Sequence, residues 1–460
     1  MPTVSNGTVV VRDQMNRRLW PSIVLLSAFA VPVFAHADCP VPDMGIPEDA
    51  ALHIDVAGMR KALAASGIGI GGFYAAETFG NPSGGFKQGA TYDGVLELHL
   101  DGDLKKWGLW KGLCLHANGY QIHGRSISAD YVHSLMTVSN LEATPATKLY
   151  ELWLQQSLFN ERLSVRVGQL AADGDFLVSV GGAYFLDGTW GWPTLLAADL
   201  PSGGPAYPLA TPGVRVLFSP NENFGLKAAV YNGDPVGPNC KGDPQVCDPA
   251  GLEFRLSDPP LLFAEAFYSY NQKRGLAGTI MLGGWNHFGS FQHQRFDIAG
   301  MPIAATGRPG RPLDNDWGFY AVFDQLIWRV PHSEDVRGVG LFTRVIGAPS
   351  DRNLVDFYAE GGVTFTGMIA HRSDNSLAVG FAYAGISDQA HGFDVDAGLP
   401  VARNYEALLE ICYTAQIQTG WTLQPDFQYI VQPGGNVPNA SGTGAVGNAS
   451  VFGVRTTLNF

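Results

Sequence analysis

The sequence predicts an all-β protein, a transmembrane antiparallel β-barrel of about 16 strands, with a short N-terminal periplasmic helix and an inward-folded constriction loop. Three observations predict it. Charged residues make up only 15% of the 460 residues, against roughly 25% in soluble domains, yet no stretch after position 40 holds the ~18 consecutive apolar residues of a spanning helix. The apolar residues instead alternate with polar ones, the pattern of strands with one face to lipid and one to a lumen. The chain also ends in such a segment and closes on an aromatic residue, Phe460.

The N-terminus carries an export address. Arg12, Arg17 and Arg18 precede an apolar run from Leu19 to Phe34, followed by Ala35-His36-Ala37. Basic, apolar, then a small-residue site is a Sec signal peptide, expected over 1–37 with cleavage after Ala37. Met15, just before the basic pair, is an alternative start to Met1. Cys39 invites a lipoprotein reading, which the poorly matching His36-Ala37-Asp38 disfavours. Residues 38–66 form an expected periplasmic segment. Within it, Ile54, Met59 and Leu63 recur at helical spacing between Ile54 and Ala65, and this predicts a short helix at the barrel rim.

The barrel is expected over 67–460. In the last strand Phe452, Val454, Thr456, Leu458 and Phe460 share one face, and Gly453, Arg455, Thr457 and Asn459 the other. Trp421, Leu423, Phe427 and Tyr429 likewise oppose Thr422, Gln424, Asp426 and Gln428. Leu163, Val165 and Val167 alternate with Arg162, Ser164 and Arg166, and Phe357, Ala359, Gly361 and Val363 with Asp356, Tyr358 and Glu360. Leu252, Phe254 and Leu256 alternate with Glu253 and Arg255, which predicts another strand. About seventeen candidates of roughly 8–11 residues result. Single-chain bacterial barrels have even strand numbers, so sixteen or eighteen is the expected count.

Connections alternate in length. Asn160-Glu161, Ser219 to Asn223 and Ser257 to Pro260 read as periplasmic turns; Gly233 to Ala250, Ile298 to Asn315 and Gly385 to Asn404 read as external loops. Ala171 to Thr211, rich in Gly, Pro and Trp, is the longest unpatterned stretch, and a loop that long usually has a function. It is expected to fold into the barrel. Cys240 and Cys247 bracket a Gly/Pro/Asp-rich loop and are a disulfide candidate in an oxidising compartment. Cys114 and Cys412 fall in strand-like segments and read as buried thiols.

Most reactive chemistry is missing. A formal charge of −13 argues against nucleic acid, whose phosphates need clustered Lys and Arg. Gly67, Gly69 and Gly72 satisfy G-x-G-x-x-G, but the following residues alternate like a strand. The histidines at 99, 116, 123, 133, 287 and 293 form no metal motif, and His116 and His123 read as lumen lining. No G-x-S-x-G elbow appears. Glu406 and Glu410 share a strand face and belong in a polar lumen. No catalytic residue, cofactor or metal is therefore expected. Inward Arg, Glu, Asp, Gln and Trp suit sugars, whose hydroxyl edges need paired donors and acceptors and whose C–H faces need aromatics; a ring of one charge sign would select ions instead.

The chain resembles the carbohydrate-selective porins of the OprB family. The resemblance rests on Glu77 to Gly85 (ETFGNPSGG), Gln121 to Asp130 (QIHGRSISAD), Leu135 to Leu154 (LMTVSNLEATPATKLYELWL) and Arg166 to Phe176 (RVGQLAADGDF). It continues in Ala206 to Arg215 (AYPLATPGVR), Ala229 to Pro235 (AVYNGDP), Gly318 to Arg329 (GFYAVFDQLIWR) and Gly340 to Val363 (GLFTRVIGAPSDRNLVDFYAEGGV). It implies a sixteen-stranded outer-membrane barrel, passive uptake of glucose and related monosaccharides, and an eyelet of inward arginines with an acidic partner. Motif position places the eyelet on Arg125, Glu77 and Arg215, with Arg166 nearby, and a sugar-stacking surface on Trp190 and Trp192. Leu113 and Leu115 share parity with Gln121, His123 and Arg125, so a bulge is needed to turn Arg125 inward. A general or anion-selective porin is the alternative, and an outer-membrane barrel enzyme a further one. The expected partners are small sugars and outer-membrane lipid; monomer and homotrimer both stay open.

Overall fold

The computed structural model describes residues 59–272, 275–331, 337–368 and 372–460. The expected signal peptide, its expected cleavage site after Ala37, Cys39 and the first half of the expected helix lie outside the described residues. The helix is present from Met59 to Ala65 (α1). It sits at the rim, where Lys106 Nζ donates to Ala64 O at 3.0 Å and Trp107 Nε1 to Ser66 O at 3.0 Å.

Sixteen strands follow in order: β1 Ile68–Gly85, β2 Gly89–Asp103, β3 Leu113–Gly124, β4 Ala146–Leu158 and β5 Leu163–Leu170. Next come β6 Thr211–Phe218, β7 Phe224–Asn232, β8 Pro260–Tyr270, β9 Gly278–Asp297, β10 Gly310–Arg329 and β11 Gly338–Gly347. The last are β12 Val355–Thr366, β13 Ser376–Ile386, β14 Tyr405–Gln418, β15 Trp421–Val431 and β16 Gly447–Asn459. Each pairs with its sequence neighbours, and β1 pairs with β16, so the sheet closes on itself. Closure leaves no edge to satisfy elsewhere. Phe460 seals the seam, exchanging two 3.0 Å backbone hydrogen bonds with Gly72.

The alternation read from the sequence sorts the faces correctly in the closing strands. Phe452 and Val454 are exposed on the outside, whereas Arg455 is buried within. On β15, Thr422, Gln424, Asp426 and Gln428 are all buried while Trp421, Leu423 and Tyr429 face out. The tightest turns, such as 159–162 and 419–420, lie at the end that holds Ile68 and Asn459. The longest lie at the opposite end: 125–145, 171–210 and 233–259.

Three expectations need correction. Leu252–Leu256 is not a strand: it lies unpaired within the 233–259 connection, so Ser257 to Pro260 closes a long loop rather than a short-end turn. Alternation reports a two-sided environment, not a hydrogen-bonding partner, and here no neighbour supplies a ladder. Removing this segment brings about seventeen candidates to sixteen. The 298–315 loop is shorter than expected, because β9 and β10 are 20 residues each and pair well beyond the usual spanning length. Cys114 is disulfide-bonded rather than a free thiol; Cys412 is free and buried.

Candidate functional site

The 171–210 connection folds into the barrel. Phe176, Leu177, Phe185, Leu186, Trp190, Leu195 and Leu196 are buried in one apolar cluster with wall residues Phe263, Tyr320, Phe342 and Tyr358. Burial of such side chains contributes roughly 1.5–3 kcal/mol each. Polar backbone entering that cluster must still be paired, and inward wall side chains do the pairing.

Arg344 on β11 is fully buried and donates to four loop carbonyls: Leu177 at 2.6 Å, Thr189 and Trp190 at 2.9 Å, and Gly191 at 3.3 Å. Its charge is balanced by Glu360 on β12 at 2.9 Å. Glu410 on β14 accepts from Leu186 N and Trp190 Nε1, both at 2.6 Å. Asp324 on β10 accepts from Ser179 Oγ at 2.9 Å and Gly181 N at 3.0 Å. Glu265 on β8 accepts from Leu177 N at 3.1 Å and pairs with Lys227 Nζ at 2.7 Å. Glu406 does the same for other loops, taking the N–H groups of Leu135, Met136 and Gly434 at 2.6–2.8 Å. A charged partner makes such hydrogen bonds short and strong, so the loop is held on several sides.

Adjoining this packing lies a polar cluster. Arg166 on β5 and Arg215 on β6 are directly paired across the ladder. Like charges at such positions repel, so shared acceptors are required. Asp175, from the inward loop, bridges both at 3.3–3.4 Å. Gln155 Oε1 accepts from Arg166 Nε at 3.2 Å and from Arg215 Nη2 at 3.2 Å, and Ser164 Oγ from Arg215 Nη1 at 2.6 Å. The Arg166 guanidinium sits 3.9 Å above the Trp153 ring, with His116 stacked on the same indole at 4.8 Å. Lys227 donates to Asp175 O, and Glu151 adds a further negative charge beside Arg166. Cations and anions are thus interleaved.

The residues singled out in the sequence divide as follows. Arg166 and Arg215 come together. Glu77 points inward but pairs with Arg455 across the β1–β16 seam at 2.6 Å, and Arg455 also reaches Ser139 Oγ at 2.8 Å. Arg125 is displaced from the cluster. The β2–β3 register runs unbroken from Asp93↔Gly124 to Asp103↔Cys114, so no bulge changes the parity. His123 therefore faces outward, 3.3 Å from Tyr74 Oη, rather than into the lumen. Arg125, just past the strand, is 67% exposed and paired with Asp130.

Trp190 offers no stacking face for a solute: it is 3% exposed, one side of its ring covered by Phe185 at 4.4 Å. Its indole fastens the loop instead. Trp192 is half-buried and donates to Gly203 O at 2.9 Å. Cys240 and Cys247 are disulfide-bonded, with Cα atoms 5.9 Å apart. Asp175, Gln155 and Trp153 went unnoticed in the sequence. Asp175 lay within the quoted RVGQLAADGDF segment, but only the folded loop brings it to both arginines. His116 lines the interior as expected, held by Asp101 at 2.7 Å.

Two loop carboxyls titrate in opposite directions. Burial works to raise Asp175, but Arg215, Arg166 and Lys227 outweigh it and hold it below the usual carboxylate range. Burial pushes Asp173 up from 3.8 to about 6, against hydrogen bonds from Tyr207 N and Tyr150 Oη. Between these two values the folded loop keeps a proton that the unfolded chain has lost, so stability falls as pH rises through that window and then levels. Asp173→Asn is expected to flatten this slope, read as heat-induced unfolding of the refolded barrel from about pH 4 to 6. An unchanged slope would remove Asp173 as its source.

The sequence model described as carbohydrate-selective porin, OprB family, matches residues 87–460. Porin B of Pseudomonas aeruginosa is 24% identical over 446 residues, covering 88% of this chain and 90% of that protein. The high-pH structure of Pseudomonas putida OprB superposes with a TM-score of 0.77 at 21% identity, covering 88% of this chain and 97% of the other. The low-pH structure of the same protein gives 0.54 at 17% identity, covering 89% and 98%.

Proposed function

This chain belongs to the carbohydrate-selective porins, the OprB family, and from that membership we propose that solutes are sorted at the Arg166–Arg215–Asp175 cluster. The protein is an outer-membrane porin for diffusion of small carbohydrates. The proposed permeants are glucose and related monosaccharides, which pass beside the inward loop without energy input. One observation carries the reading: two arginines on neighbouring strands are held by a single loop carboxylate. Arg166 and Asp175, the partly exposed members, offer a fixed donor and acceptor side by side, the pattern a sugar hydroxyl pair needs, and Glu151 beside Arg166 supplies the second negative charge that balances the two arginines. The outward apolar belt meets membrane lipid, and the end with short turns faces the periplasm.

Liposome swelling tests this. Vesicles holding the refolded protein are expected to swell faster in glucose than in an uncharged amino acid of similar size. Swelling that follows solute size alone would make this a general diffusion pore.

A further inference from the structure

The wall is low at one sector. β5 and β6 have 8 residues each and β7 has 9, at or below the roughly 9–11 of a spanning strand. β4 is paired with β5 only as far as Leu152↔Gln169. Beyond that point Leu149 N donates instead to Ala250 O, at 3.0 Å, in the long connection between β7 and β8. Ala250 thus stands above β5, and the chain must return to Pro260 at the start of β8, three strand spacings or about 14 Å away. Segment 251–259 can reach about 30 Å, so it crosses the rim above β5, β6 and β7.

Its side chains are unusual for a loop in water. Leu252, Phe254 and Leu256 are 59%, 47% and 82% exposed. Arg255 is tied back through two 2.9 Å contacts to Asp258, which accepts from Asn232 Nδ2 at the end of β7. Below them the outer wall continues in exposed Val167, Val214 and Val230. The apolar trio thus extends an apolar outer surface where the strands stop short.

We propose that segment 252–256 is a membrane-contacting strap, whose Leu252, Phe254 and Leu256 bury in the acyl chains of the outer leaflet and raise the lipid-facing wall over β5–β7. The proposal rests on the reading that the outward belt faces lipid. It also gives the strand-like alternation of this segment a physical role, since the membrane selects apolar residues whether or not a ladder forms.

The test uses the full refolded chain in phosphatidylcholine vesicles, with a polarity-sensitive fluorophore on one added cysteine. Leu256→Cys is compared with Phe452→Cys on the outward face of β16 and Ser441→Cys in an exposed loop. Nitroxide-labelled acyl chains are expected to quench positions 256 and 452 severalfold more than 441, with iodide in the reverse order. Quenching at 452 but not at 256 overturns the strap and leaves the lipid belt standing. Failure at 452 as well overturns both. Cross-linking of Leu256→Cys to a second copy without lipid quenching would make the trio a protein interface, which also overturns the proposal.

Discussion

Arg344→Met is expected to release the inward loop and open the pore. The substitution leaves Glu360 buried without its cation and four loop carbonyls without their donor. Breaking a buried pair from one side costs about 3–5 kcal/mol, and this loss falls on the loop, since the ladder hydrogen bonds of the barrel are untouched. Single-channel conductance should rise, and residues 176–192 should become open to protease in a barrel that still resists heating in detergent. Arg344→Lys should recover only part of the effect, because a point charge cannot serve four acceptors as the planar fork does. Unchanged conductance in Arg344→Met would mean that the loop is held without this clamp.

Asp175→Asn should alter selectivity as well as stability. It leaves Arg166 and Arg215 opposed across the ladder with no carboxylate between them, so the cluster gains one positive charge. The expected result is a reversal potential shifted toward anions and a loss of the preference for glucose over a size-matched amino acid. The Asp175 carboxyl is held below the usual range by its arginine neighbours, so the wild type stays ionised there throughout neutral pH. A depressed carboxylate contributes stability above its unfolded value, which is lost as pH falls through the folded one. The wild type should therefore come to resemble the variant only in strong acid. An ion selectivity indifferent to the substitution would place the constriction elsewhere.

The barrel was legible because lipid and lumen act on every second residue, and β15 and β16 carry that record without interruption. The long inward loop was legible as an absence of pattern between Ala171 and Thr211. What the sequence could not convey was partnership. Leu252–Leu256 has the composition of a strand, yet strand identity depends on a neighbour's hydrogen bonds, which no local pattern records. Arg125 depended on a bulge, and the unbroken β2–β3 register leaves that residue outside the cluster. Trp190 reads in the sequence as a sugar-stacking aromatic, but its ring is buried and its indole N–H is satisfied by Glu410, more than two hundred positions away. Asp175 reaches Arg215 from another element for the same reason: the cluster is made by docking, and docking is a property of the fold.

We propose that the charge-interleaved cluster beside the inward loop recognises sugar hydroxyls. The most direct test is the current through one wild-type channel as glucose is added. The expected result is a low conductance that glucose interrupts in a saturable, concentration-dependent way, with an uncharged amino acid of similar size far less effective. A current that glucose leaves unchanged beyond the effect of viscosity would contradict it.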